Sequence, residues 1–306
     1  MMQEIFYIDR KTGQKKKEKI YGHFFLHRFY GEGFFWRLLC SVIARIPFFS
    51  HLYGAIQKSQ LSRFKISRFI EEYGIDASEF LEPVSHFASF NDFFIRRLKP
   101  TARSIVEGDE VAILPADARY LVFPDISKID GFWVKGKKFC LERLLGDKAL
   151  AERYREGALV IARLCPVDYH RFHFPCACLA QPAQLIPGPL FSVNPIALKK
   201  NINYLCENKR MVTELKSALF GTLLFVEVGA THVGSIHQTY RSGEMQAKGE
   251  EKGYFSFGGS CILLLFEKER IAFDADLLAA SEQKIEVLGL LGQSLGRTRQ
   301  MGQRAL

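Results

Sequence analysis

Apolar positions along this 306-residue chain fall into three patterns. Between residues 35 and 46, Phe35, Leu38, Leu39, Val42 and Ile46 recur at helical spacing, with Arg37, Ser41 and Arg45 on the opposite face. Leu61 to Tyr73 predicts a further helix that ends near Gly74, so residues 1–85 are expected to be helical. From 86 to 259 the pattern shifts to short β-branched and aromatic runs divided by Gly and Pro, with breaks at Lys135-Gly136, Pro187-Gly188 and Gly229. Ile262 to Phe266 reads as a buried strand in a hairpin around Lys268 with Ile271 to Phe273, and Ile285 to Leu291 as another strand. Strands and helices do not alternate as a doubly wound sheet requires. The expected class is α+β: a β-rich, mostly antiparallel core over 86–306 behind a helical segment over 1–85.

Charge changes the picture of that segment. The net charge of +9 lies wholly in residues 1–70, where 13 Lys or Arg stand against 4 Asp or Glu. Lys11, Lys15, Lys16, Lys17 and Lys19 come first, and Phe24, Phe25, Phe29, Phe34, Phe35, Trp36, Leu38 and Leu39 follow. A basic amphipathic segment with Phe and Trp predicts a helix lying in a membrane interface, with Phe35, Trp36, Leu38 and Leu39 in contact with lipid. Arg37, Arg45 and Pro47 interrupt it before the ~20 apolar residues a bilayer span needs. Charge also breaks the apolar run a signal peptide would carry. A helix packed on the body with a solvated basic face remains the alternative. Aromatic residues grouped with aliphatic ones favour lipid over nucleic acid.

Cysteine usage adds little. Seven cysteines show no framework spacing, and Cys176-Ala177-Cys178 is too tight for a zinc knuckle, so free thiols in a reducing compartment are expected.

Candidate chemistry begins at Gly258-Gly259-Ser260-Cys261, which runs straight into the apolar strand. Two glycines leave the serine backbone unshielded, so Ser260 Oγ can approach the Gly259 carbonyl from within the chain. A Gly-Gly turn closed by a serine is the plainer reading. Ile262 excludes the Gly-x-Ser-x-Gly elbow. Upstream, Asp168-Tyr169-His170-Arg171-Phe172-His173-Phe174-Pro175 carries two imidazoles beside an aspartate, an acid–base cluster on a strand or tight loop. A metal site there lacks further ligands at suitable spacing. Asp117, in Pro115-Ala116-Asp117-Ala118-Arg119, can orient a histidine or merely close an Asx turn.

Together these segments resemble the phosphatidylserine decarboxylase family. The resemblance spans roughly residues 60 to 295 and also rests on Phe90-Asn91-Asp92-Phe93-Phe94-Ile95-Arg96-Arg97-Leu98-Lys99-Pro100, Pro187 to Pro195, Val228 to Ile236 and Lys248 to Phe255. It implies self-cleavage between Gly259 and Ser260 into a β chain (1–259) and an α chain (260–306) that stay together as a heterodimer, with a homodimer left open. Ser260 would become a covalent pyruvoyl group that forms a Schiff base with phosphatidylserine, releases carbon dioxide and yields phosphatidylethanolamine. No metal and no PLP are implied. By match to the motif, Asp117, His173 and Ser260 would form the relay for cleavage, and His170 would donate a proton during decarboxylation. The resemblance also implies an anionic lipid surface as partner, no nucleic acid, and a peripheral location on the cytoplasmic face of the inner membrane.

One position departs from the family. Cys261 stands where threonine or serine is usual, and a thiol, being a weak donor, is expected to polarise the Gly259 carbonyl less well. Two rivals stay open on the residues alone. A lipid-facing serine hydrolase would use Asp117, His173 and Ser260 but leave the chain whole, and a non-enzymatic membrane-binding protein would need neither histidine.

Overall fold

The computed structural model describes residues 4–20, 22, 30, 34–128, 140–230, 235–258 and 260–299. The expected breaks at Lys135-Gly136 and the stretch 231–234 lie outside them.

The N-terminus departs from the expected helix. Strands β1 (Phe6–Asp9) and β2 (Lys15–Lys17) form a hairpin turned by Gly13 at φ 68°, and the Asp9 carboxylate accepts from the Lys11 N–H and pairs with Lys16 at 2.6 Å. The lysine run is therefore the outer edge of a sheet, where charged side chains discourage pairing with another chain. Helices α1 (Phe34–Arg45) and α2 (Pro47–Lys58) follow, and Pro47 opens the second because its missing N–H costs nothing at that position. The helix read from Leu61 starts as a 3-10 turn (Gln60–Phe64) and continues as α3 (Lys65–Tyr73), closed by Gly74 at φ 63°. Short α4 (Phe90–Phe94) is capped by Ser89, whose hydroxyl accepts from the Asp92 N–H.

The remaining strands are β3 (Val111–Ile113), β4 (Ala118–Phe123), β5 (Ala158–Leu164), β6 (Arg171–His173), β7 (Cys178–Ala180), β8 (Gln184–Ile186), β9 (Arg210–Ser217) and β10 (Gly221–Gly229). They continue with β11 (Ile236–Gln238), β12 (Met245–Gln246), β13 (Glu251–Phe255), β14 (Ser260–Phe266), β15 (Ile271–Phe273), β16 (Glu286–Gly289) and β17 (Ser294–Thr298). The main sheet runs β12-β7-β9-β10-β14-β5-β4-β16-β1-β2, with β8 beside β9, and β11-β13-β6 and β15-β17-β3 form smaller sheets. Among described pairings only β1–β16 is parallel, in keeping with the mostly antiparallel core that the sequence predicts. Helix α5 (Ala275–Glu282) covers β4, where the Val122 N–H donates to Ser281 Oγ at 2.9 Å.

Strand β14 is the structural axis. All seven of its residues are buried, and it bonds to β10 on one side and β5 on the other. With both edges taken it cannot make the expected hairpin with Ile271 to Phe273. The chain turns away through Glu269 at φ 59° and pairs β15 with β17. Alternate β14 residues feed two cores: Ile262, Leu264 and Phe266 join Phe172, Phe225 and Phe255, whereas Cys261, Leu263 and Leu265 join Leu159, Ile161 and Val226. A third cluster packs Phe69, Phe80, Phe87, Phe90, Phe93 and Phe94 with Phe257, which ties the N-terminal helices to the segment just before Ser260.

Candidate active site

Ser260 opens β14 at 0% exposure, and its Oγ is buried without a hydrogen-bond partner. A buried hydroxyl normally finds one, so an orphan here is an exception that calls for a role. Two contacts hold the approach to it. The Phe257 N–H donates to Asn91 Oδ1 at 3.0 Å, and the Phe257 ring packs on Phe94 with centroids 4.8 Å apart. Gly258 sits at φ 137°, a conformation that favours glycine. Gly259, the expected partner in cleavage, lies outside the described residues.

Both histidines are held in one tautomer. His170 Nδ1 faces the Asp168 carbonyl at 2.9 Å and His173 Nδ1 faces the Gly249 carbonyl at 3.0 Å. A carbonyl can only accept, so each Nδ1 carries the proton and each Nε2 keeps its lone pair. Both Nε2 atoms are buried and unpartnered. Burial pushes the His170 pKa down to about 3, against weaker upward pulls from the Asp168 and Gly258 carbonyls, and it lowers His173 as well. Both imidazoles are thus neutral, with His170 beside Gly258 and its ring inclined by 38° to that of Phe94.

Asp117 is placed differently from a triad aspartate. Its carboxylate takes Arg103 at 2.6 Å and the Leu291 N–H at 2.8 Å, and the acceptor of the His173 Nδ1–H is Gly249. Its turn still lies beside His173, whose N–H donates to the Pro115 carbonyl at 2.8 Å, and its charge favours the protonated ring. Asp168 reaches His170 through the backbone. Its own carboxylate is fixed by Arg119 and by the Cys165 N–H at 2.7 Å. Arg119 in turn neighbours Glu18, which pairs with Arg163, itself paired with Glu286, so the N-terminal segment belongs to the scaffold of the site.

Cys261 turns away. It follows Ser260 on a strand, so its thiol enters the opposite core, next to the Ile262 carbonyl at 3.7 Å. On the Ser260 side of the sheet lies the buried pair Lys252–Glu227 at 2.5 Å, with Thr213 and Gln238 also accepting from Lys252 Nζ. Among the described residues no group of three or more His, Cys, Asp or Glu is arranged to hold a metal ion.

Sequence reading gave no role to Asn91, Phe94, Arg103 or Gly249. Asn91 and Phe94 sit in the Phe90–Pro100 stretch that marks the family resemblance, but only the fold shows that this stretch packs against the serine loop.

Among the expected lipid contacts, Trp36 and Leu39 are half-buried on α1, and the side chains of Phe35 and Leu38 lie outside what is described. Among the described residues of α1, α2, the 3-10 turn and the links between them, the exposed apolar side chains include Val42, Ile46, Leu52, Ile56, Leu61 and Phe64. Among the described residues no helix is long and apolar enough to cross a membrane.

The family model described as phosphatidylserine decarboxylase matches residues 90–296. The phosphatidylserine decarboxylase proenzyme of Chlamydia caviae is 48% identical over 301 residues, covering 97% of this chain and 99% of that protein. The proenzyme of Chlamydia pneumoniae is 48% identical over 297 residues, covering 97% and 98%. That of Chlamydia felis is 46% identical over 297 residues, covering 97% and 99%.

Proposed function

This chain belongs to the phosphatidylserine decarboxylase family, and on that premise we propose that it converts phosphatidylserine to phosphatidylethanolamine and carbon dioxide after cutting itself between Gly259 and Ser260. The observation that carries the reading is the buried, unpartnered Ser260 Oγ two residues beyond Gly258, whose carbonyl bears on the His170 imidazole, while the Nε2 atoms of His170 and His173 are unpartnered as well.

In maturation, His173 Nε2 takes the hydroxyl proton and Ser260 Oγ attacks the Gly259 carbonyl carbon. The acyl group passes from nitrogen to oxygen. Loss of the Ser260 α-proton then expels the Gly259 carboxylate and leaves dehydroalanine, which hydrolyses to ammonia and a pyruvoyl group. The attack is intramolecular, so fixed orientation can stand in for effective concentrations of about 10⁵ M or more. Gly249 orients the base through its carbonyl, and Asp117 stabilises the imidazolium through its charge.

The pyruvoyl group supplies a carbonyl that captures the substrate amine and draws in the electrons left by the departing carboxylate. His170 Nε2 would take the proton that the substrate ammonium gives up on condensation and return it to Cα once carbon dioxide has left. The residues present suit such a group: Ser260 is buried, Asn91 and Phe94 hold the approach to it, and glycine at 258 permits the turn.

Cleavage need not separate the chains. The α chain begins with β14, hydrogen-bonded along its length to β5 and β10 of the β chain, so the two remain a heterodimer. A homodimer is carried over from the resemblance alone. The basic N-terminal region and the exposed apolar side chains of α1, α2 and the 3-10 turn support peripheral docking on an anionic lipid surface, and the cytoplasmic face of the inner membrane is carried over from the resemblance alone.

The test is a denaturing gel with mass spectrometry. Wild type should separate into 1–259 and 260–306, the latter with a blocked terminus that reacts with hydrazines or borohydride. Ser260→Ala should run as one chain. Wild-type protein that stays whole yet decarboxylates its substrate sinks the pyruvoyl reading.

A further inference from the structure

A cavity of about 550 Å³ lies between the β1–β2 hairpin, the end of α3 and the Asp168-Tyr169 turn. Three arginines and three carboxylates line it: Arg96, Arg103, Arg119, Glu79, Asp117 and Asp168. Arg103 takes both Glu79, at 3.0 Å, and Asp117, at 2.6 Å, while Arg119 takes Asp168. Every lining carboxylate is thus already paired, and Arg96 is left over.

Arg96 is buried, at 5% exposure, and among the described residues no carboxylate lies within ion-pair distance of it. Its Nη atoms reach only the Phe93, Val167 and Asp168 carbonyls, at 3.3 to 3.4 Å, and its Nε finds no partner. The rings of Phe80 and Phe93, 5.1 and 4.8 Å away, soften the charge without neutralising it. Desolvation pulls its pKa down to about 10, the response of a buried cation short of counter-charge. Three lysines line the cavity as well. Lys16 and Lys17 are paired with Asp9 and Glu4, whereas the exposed Lys19 reaches only the Glu72 carbonyl at 3.4 Å. The two charges without a carboxylate, one buried and one exposed, are both positive.

We propose that this cavity binds a phosphate group, with Arg96 as the buried anchor and Lys19 at the mouth. A planar fork and a point charge facing one space match a phosphate, whose oxygens point in all directions, whereas a planar carboxylate satisfies the fork alone. Whether that phosphate is free or belongs to a phospholipid headgroup, the recognising chemistry is the same. Only the headgroup source rests on the function proposed above.

Isothermal titration of the full-length protein with inorganic phosphate and with soluble glycerophosphoserine reads binding without turnover, so a failure of decarboxylation leaves the result intact. At least one ligand should bind saturably, with affinity lower by about tenfold or more in Arg96→Gln and severalfold in Lys19→Ala. Binding by glycerophosphoserine alone assigns the site to the headgroup, and binding by both assigns it to phosphate as such. No binding by either ligand overturns the proposal, as does an affinity unchanged in both variants. Should Arg96→Gln fail to fold, Lys19→Ala and Lys19→Glu, at an exposed position, carry the test.

Discussion

Phe94 covers one face of the His170 imidazole, with ring centroids 3.8 Å apart and planes inclined by 38°. The ring is fully buried, and desolvation holds its pKa at about 3 against an ordinary 6.5. Between those values the unfolded chain binds a proton that the folded chain refuses. Stability should therefore be greatest above pH 6.5 and fall as the pH drops toward 3, with this residue contributing a slope of about 1.4 kcal/mol per pH unit. Urea unfolding of the uncut Ser260→Ala chain between pH 7.5 and 5 measures it. Adding His170→Gln should flatten that curve, and an unchanged slope would acquit His170.

Cys261 gives a second expectation. Read as sequence, restoring threonine should help polarise the carbonyl that Ser260 attacks. The strand places residue 261 on the opposite side, in the core with Leu263 and Leu265. Cys261→Thr should then leave the cleavage rate within about twofold while costing about 1 kcal/mol for a newly buried hydroxyl. A gel time course with a thermal melt checks both, and marked acceleration means the side chain reaches the scissile bond.

How far the sequence carried these readings depended on the range of the forces involved. Local signals survived: the Gly74 stop, the buried run at Ile262 to Phe266, and the extended Arg171-Phe172-His173. What failed was set by distant partners. Phe6 to Lys17 carries no strong strand signal, because Lys is a poor strand former, yet it folds as one since the free edge of β16 accepts β1. The hairpin at Lys268 failed because β5, a hundred residues upstream, had already occupied the edge of β14. Motif spacing pointed to Asp117 and both histidines, but Arg103 and Gly249, which hold Asp117 and His173, follow from how separate segments pack, and Asp168, two residues before His170, engages it through its carbonyl rather than its carboxylate.

The buried pair Lys252–Glu227 allows a double-mutant test. Both side chains are 0% exposed, burial lowers the lysine pKa and raises that of the glutamate, and Glu227 Oε2 has no partner. Removing one member strands the other, so Lys252→Met alone should cost about 3–5 kcal/mol. Glu227→Leu on that background should recover much of the loss. Additive losses in denaturant melts would mean that the two side chains do not act as a pair.

Membrane docking should divide into two parts. Salt should weaken binding to anionic vesicles, since each basic residue near such a surface contributes about 1 kcal/mol. Leu61 and Phe64, 82% and 78% exposed, should carry the salt-resistant part. Point variants are the right tool because deleting the first fifty residues would also strip β1 and Glu18 from the fold. Leu61→Ser with Phe64→Ser should abolish vesicle flotation at high salt while leaving self-cleavage intact. Unchanged flotation would move the contact elsewhere.

The two histidines should fail at different times. His173 is needed before the reactive group exists, because Ser260 is a weak nucleophile until a base takes its proton. His173→Ala should therefore accumulate uncut precursor. Gly249→Ala should do so in part, since φ +81° resists a side chain and a Cβ there would meet Ile105 at 3.0 Å, displacing the carbonyl that orients His173. Asp117→Asn, which keeps the shape and removes the charge, should slow cleavage without stopping it, because no hydrogen bond to His173 is lost. His170→Ala should still cut itself yet release carbon dioxide from phosphatidylserine slowly. A gel time course beside a carbon dioxide assay separates the cases. If His170→Ala stays uncut while His173→Ala matures, the ring beside Gly258 is the base for cleavage, and the two roles are exchanged.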